Sequence, residues 1–156
     1  MSFASKMMAA AALVGLALPA AAQSVDGEPN YGTIELDAGF TPDPYGVDLE
    51  SGGDIDASGI GEPCTGFISD SPDVRLVYAS GNYPLMISVQ SGVDTTLVVN
   101  APDGQWYCDD DGGNIGTNPS VQFTNPMSGR YEIWVGTYGS ASLAPAQLQI
   151  SELYSQ

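Results

Sequence analysis

The chain has 156 residues, with 19 Asp and Glu against three Lys and Arg and no histidine, for a formal charge of −16. That balance argues against nucleic acid and anionic lipid as partners, since both would repel it. Without histidine, and with its one lysine at position 6, the body of the chain cannot assemble a Ser-His-Asp or Ser-Lys nucleophile.

Met1 to Ala22 reads as a secretory signal peptide: Lys6 is the positive n-region, Met7 to Leu18 the apolar run, Pro19 the breaker, and Ala20-Ala21-Ala22 the small residues before Gln23. The run falls short of the roughly 20 apolar residues that a membrane span needs. No later segment is continuously apolar over that length, and no cysteine follows the small residues as a lipid anchor would require. The expected mature chain therefore begins at Gln23 and is secreted, to the periplasm or the extracellular medium. Its cations are then Arg75 and Arg130. Solubility accounts for most of the acids, and only those that cluster invite a site reading.

Gln23 to Asn30 is polar, with Gly27 and Pro29, and is expected to be a flexible start before a single domain over residues 31–156. Ile34 and Leu36 then alternate with Thr33 and Glu35, the period of a half-buried strand. The segment G-F-T-P-D-P, Gly39 to Pro44, breaks the pattern, because two prolines so close cannot sit in a central ladder. Tyr45, Val47 and Leu49 resume it, Ser51-Gly52-Gly53 turns, and Ile55 with Ala57 follows. After the loop Gly59 to Pro63 come Cys64, Phe67-Ile68 and the acidic turn D-S-P-D at Asp70 to Asp73. Further strands are expected at Val74 to Ala79, around Leu85, Ile87 and Val89, at Val121 and Phe123, at Tyr131, Ile133 and Val135, and at Leu148 and Ile150. About eight to ten short strands with Gly and Pro at the corners, and no useful helical period, predict an all-β fold. The expected form is a single antiparallel β-sandwich of the jelly-roll or Greek-key kind.

Cys64 and Cys108 are the only cysteines, and in an oxidising compartment they are expected to form a disulfide. Closing the long loop between them adds roughly 4 kcal/mol on the chain-entropy account.

The most informative stretch is Asp94 to Gly113, D-T-T-L-V-V-N-A-P-D-G-Q-W-Y-C-D-D-D-G-G. It reads as a hairpin about a Pro-Asp-Gly turn, with acid at both ends. Hairpin geometry brings Asp94 toward Asp109, Asp110 and Asp111, whose mutual repulsion a cation would relieve. Calcium takes about six to eight oxygens in irregular geometry, and Asn114 or a loop carbonyl would complete such a set. The spacing is not that of an EF-hand. Asp54 and Asp56 form a second alternate pair and are read as surface. A solvated acidic turn is the plain alternative for the whole cluster.

L-M-I-S-V-Q-S-G-V-D-T-T-L-V-V from Leu85 to Val99, the turn Asp103-Gly104, the acids Asp109-Asp110, and S-G-R-Y-E-I-W-V-G-T-Y-G-S from Ser128 to Ser140 together resemble the bacterial pre-peptidase C-terminal domain, a small β-sandwich of secreted proteins. The resemblance implies calcium ligands at Asp94, Asp109 and Asp110. Where the family has an asparagine before the paired acids, this chain has Cys108. The segment G-F-T-P-D-P with Gly52-Gly53 resembles the start of small secreted proteobacterial proteins, some of which carry peptidase names.

Asp94-Thr95-Thr96 lacks the glycine of an aspartic-protease D-T-G, and zinc finds too few of its usual ligands. A glycosidase needs only two carboxylates, which any acidic chain supplies. Trp106, Tyr107, Trp134 and Tyr138 suggest a sugar-stacking surface, with Trp134 pointing outward if Tyr131, Ile133 and Val135 point inward. The reading is a non-catalytic, calcium-stabilised binding or accessory module that meets a protein or polysaccharide at the cell surface or outside the cell. A carbohydrate-binding module or a structural envelope protein is the alternative.

Overall fold

The computed structural model describes residues 23–155, so the expected signal peptide lies outside the described residues. Those residues form eleven strands and one 3-10 turn at Ala57–Gly59. The strands are β1 (Thr33–Asp37), β2 (Tyr45–Ser51), β3 (Ile55–Asp56), β4 (Phe67–Ile68), β5 (Val74–Ala79), β6 (Leu85–Ser91), β7 (Thr95–Asn100), β8 (Trp106–Asp109), β9 (Ser120–Phe123), β10 (Gly129–Thr137) and β11 (Ala144–Ser151).

They make an all-β sandwich. One sheet has seven strands, running β1-β5-β10-β4-β3 with β7 and β8 branching from β10, and the other is β2-β11-β6-β9. The expected antiparallel pairing holds with one exception: β1 runs parallel to β5, from Thr33 opposite Arg75 to Asp37 opposite Ala79. After β1 the chain crosses to the other sheet through Gly39 to Pro44, so β1 and β5 are not a hairpin pair and need not oppose each other.

Period-two alternation drives the main core. Val74, Leu76 and Tyr78 of β5, Leu97 and Val99 of β7, and Tyr131, Ile133 and Val135 of β10 face Leu85, Ile87, Val89, Leu148 and Ile150 of the second sheet.

The outer face of the larger sheet is covered as well. Ala57, Cys64, Ile68, Val98 and Trp134 form a second buried cluster, with Ile55, Ile60, Trp106 and Cys108 packed on it. The Cys64–Cys108 disulfide, expected from the sequence, closes this cover onto β8. Trp134 does point to the opposite face from Tyr131, Ile133 and Val135, but it is fully buried there, not solvent-facing. Alternation assigned the face correctly and missed the layer lying on it.

Residues 23–30, expected as a flexible start, run along the sandwich. The Ser24 N–H donates to the Asp70 carbonyl at 3.0 Å, the Asn30 N–H to the Pro72 carbonyl at 2.8 Å, and Arg75 Nη2 to the Gly27 carbonyl at 2.9 Å.

At one end of the sandwich carboxylates are engaged in hydrogen bonds: Glu152 accepts from Tyr78 Oη at 2.5 Å and from the Gly39 N–H at 2.8 Å, and Asp43 accepts from Ser151 Oγ. At the other end β2 finishes where β11 begins and β10 finishes where β7 begins. That end is open.

Candidate functional site

The hairpin β7–β8 forms about the predicted turn, with Leu97 opposite Asp109 and Asn100 opposite Trp106. This register sets Asp109 three residues inward of Asp94. The acids that Asp94 feels are Asp111 and Asp110; with desolvation, which is the larger cause, they raise its pKa. Asp94 Oδ1 is buried and has no hydrogen-bond partner. Asp109 is engaged elsewhere, since its Oδ2 accepts the Gly112 N–H at 2.7 Å and the Ser120 N–H at 2.8 Å, pinning the loop that follows β8. Asn114 donates its side-chain amide to the Ser155 carbonyl at 3.0 Å.

The five expected ligands therefore do not converge. Among the described residues no group of three or more acids or cysteines is arranged to hold a metal ion. As a five-ligand calcium cage, the set does not fit.

The stacking residues also part company. Trp106 and Trp134 pack on each other at 5.4 Å between ring centroids, tilted by 42°, within the covered layer. Tyr107 lies against Phe123 in an edge-on contact at 4.9 Å. Tyr138 alone is exposed. A flat aromatic platform for sugars is not assembled from these residues.

The open end carries what the sequence reading passed over. A cleft of about 370 Å³ is lined by Tyr31, Glu50, Asp54, Asp70, Asp73 and Leu143, with others. A second, of about 220 Å³, is lined by Val93, Asp94, Thr137, Tyr138 and Leu143, with others. Leu143 stands between the two and borders both. The Ser51-Gly52-Gly53 turn makes this junction possible. Gly52 has φ +106°, which favours glycine, and a Cβ on Gly53 would lie 2.2 Å from the Ile68 carbonyl. Asp54, read from the sequence as surface, is exposed on the wall of the larger cleft. Asp56, its alternate partner, instead caps the 3-10 turn by accepting the Ser58 N–H at 2.9 Å.

Asp73 forms the floor. It is 2 % exposed, and burial pushes its pKa up to about 6 although bonds from Val135, Asn30 and Ser69 oppose the shift. Its Oδ2 accepts the Val135 N–H at 2.8 Å, and its Oδ1 accepts Asn30 Nδ2 at 3.1 Å and Ser69 Oγ at 3.3 Å. The D-S-P-D turn announces acid, but nothing local to it announces burial.

Neither arginine lines either cleft. Both meet at Glu132, a buried residue of β10: Arg75 Nε lies 2.6 Å and Arg130 Nε 2.9 Å from its Oε1. Arg130 also pairs with Asp26 at 2.6 Å. The cations of the described residues are thus committed on the outer face of the larger sheet, and the acids of the open end have none.

No protein-family model and no curated protein matches the chain. Among solved structures it is similar to the pre-peptidase C-terminal domain of a collagenase from Bacillus anthracis, with TM-score 0.45 and 13 % identity over 76 % of this chain and 94 % of that one. It is also similar to PliG of Aeromonas hydrophila, a periplasmic lysozyme inhibitor of g-type lysozyme, with TM-score 0.38 and 16 % identity over 76 % of this chain and 96 % of that one. The family that the segment from Leu85 onward resembles is thus represented among the similar structures. At these levels neither neighbour assigns a function to this chain.

Proposed function

We propose that the chain is a secreted, non-catalytic binding or accessory module, that its working surface is the open end of the sandwich, and that its partner is a protein. The observation that carries this reading is the pair of clefts that share Leu143, the larger walled by Glu50, Asp54, Asp70 and Asp73, the smaller holding Asp94, with exposed apolar side chains on the rim. Concave surface with a few polar groups and exposed apolar side chains is where binding concentrates.

Catalysis has little to work with there. Asp73 has the raised pKa that a general acid would need, but both its oxygens already accept bonds from the protein. Neither histidine nor lysine stands beside it to activate a serine nucleophile, since histidine is absent and the chain's one lysine precedes the described residues. Protein is preferred to polysaccharide because the expected stacking residues are buried or dispersed.

Purified protein should leave casein and common polysaccharides intact over long incubation. Turnover that disappears in Asp54→Asn or Asp73→Asn would overturn the reading and make the larger cleft a glycosidase-like site.

Calcium stabilisation is a second reading, and its support is narrower than the sequence suggested. It rests on the unpartnered Oδ1 of Asp94 and on the repulsion among Asp94, Asp111 and Asp110, which a divalent ion would relieve. A ligand at a hundredfold excess over its Kd stabilises by roughly 2.7 kcal/mol, several degrees in Tm for a domain of this size. Calcium should then raise Tm more than equimolar magnesium, and Asp94→Asn should abolish the difference. Coincident melting curves in calcium and chelator at matched ionic strength would overturn it.

A further inference from the structure

We propose that the two clefts act as one docking groove for a basic, partly apolar protein segment, with Leu143 as the ridge between them and an Arg or Lys side chain of the partner against Asp94. This rests on the open end being the working surface and adds the chemistry of the occupant.

Three features of the groove select that occupant. The first is charge. Glu50, Asp54 and Asp70 line the larger cleft and Asp94 the smaller, and both arginines are held elsewhere by Glu132 and Asp26. A cationic segment supplies the counter-charge that the chain does not, and like-charged or anionic surfaces are rejected.

The second is the rim. Val93, Tyr138 and Leu143 are 46 %, 50 % and 60 % exposed, and all three border the smaller cleft. Apolar side chains standing out around a recess are costly to leave in water and fit a partner that brings apolar groups of its own. Tyr31, 41 % exposed on the wall of the larger cleft, offers an aromatic face on which a guanidinium can stack.

The third is the unsatisfied acceptor. Asp94 lines the smaller cleft, its Oδ1 meets no donor in the free protein, and turning the carboxylate toward the recess would present that oxygen to a partner's side chain. A guanidinium or ammonium donates N–H groups where the oxygen lacks one. The tie between the Tyr138 N–H and the Asp94 carbonyl, 3.1 Å, holds the acid and the rim in fixed relation.

The probe is a fluorescein-labelled decapeptide of alternating Leu and Arg, titrated by anisotropy against the full mature protein with chelator present, so that calcium does not compete for Asp94. A Gly-Arg peptide of equal charge and a Leu-Glu peptide serve as controls. The Leu-Arg peptide should bind best, and Asp94→Asn and Leu143→Ser should each weaken it by about tenfold. Asp37→Asn, at the far end of β1, removes the same charge and should change affinity by less than about twofold. Melting curves of each variant check the fold, and the two variants test charge and apolar contact independently.

Equal weakening by Asp37→Asn and Asp94→Asn, or equal binding of the Gly-Arg peptide, would reduce the effect to net charge and overturn the proposal. So would absence of binding. If the peptide fails while casein and polysaccharides stay intact, the docking groove alone falls and the non-catalytic reading stands.

Discussion

Asp73 is a side chain standing in for a strand. On one edge of β10, residues 129–133 pair with β5 and Thr137 pairs with β4, so a gap opens opposite Val135. The Asp73 carboxylate fills it by accepting the Val135 N–H, and the Gly52 N–H closes it by donating to the Val135 carbonyl at 2.8 Å. The Val135 N–H and Asn30 Nδ2 donate one to each carboxylate oxygen, so an amide in its place would set N–H against N–H at one of them. Asp73→Asn should therefore cost about 1 to 3 kcal/mol in urea denaturation at pH 7. The pH dependence has a definite sign. The folded pKa, about 6, lies above the ordinary aspartate value of 3.8, so the folded state holds the proton more tightly, and the Asp73 contribution to stability falls as pH rises from about 4 to about 6. Denaturation curves of wild type and variant across that range should show the wild type losing more stability on the way up. Parallel curves would mean that Asp73 titrates normally. The sequence displays this residue only as the end of an acidic turn, because its burial is produced by β10, about 60 residues further on by the separation of the bonded pair.

Among the strands, β10 shows what alternation can and cannot tell. Its inward face, Tyr131, Ile133 and Val135, was legible from period two, as were the bounds of β5 at Val74–Ala79 and the β7–β8 turn. Its outward face was not, since the cover over Trp134 comes from residues 55–68, whose strands are two residues long and carry no period. Glu132 escaped notice for the same reason: it sits on that face and is buried against Arg75 and Arg130. A strand buried on both sides should be intolerant on both. Trp134→Ala should cost about 3 to 5 kcal/mol, comparable to Ile133→Ala at roughly 2 to 5 kcal/mol. Equilibrium unfolding of the two variants checks this, and a cost below about 1 kcal/mol for Trp134→Ala would mean that the cover is not firmly seated. The clefts were illegible for a related reason. They assemble from the S-G-G turn, the D-S-P-D turn and the loop before β11, segments with no signal that they meet.

Taken together, the strands build a sandwich with one sheet clad on its outer side and one end left open. The cladding is tied down by a disulfide that spans 44 residues, so reduction should lower stability by roughly 4 kcal/mol on the entropic account. Unfolding with and without reductant measures this directly. The cladding also sets the protein's optical behaviour. Both tryptophans of the chain are in it or packed on it, beside the disulfide, whereas Tyr78 and Tyr131 lie between the sheets. Indole emission is accordingly a local gauge of the cladding and is nearly blind to the sandwich beneath, and the tyrosine near-ultraviolet signal has the opposite bias. If the layer peels before the sheets separate, the two signals will trace different transitions in one denaturation series. Coincident curves would show that cladding and sandwich unfold as a single cooperative unit.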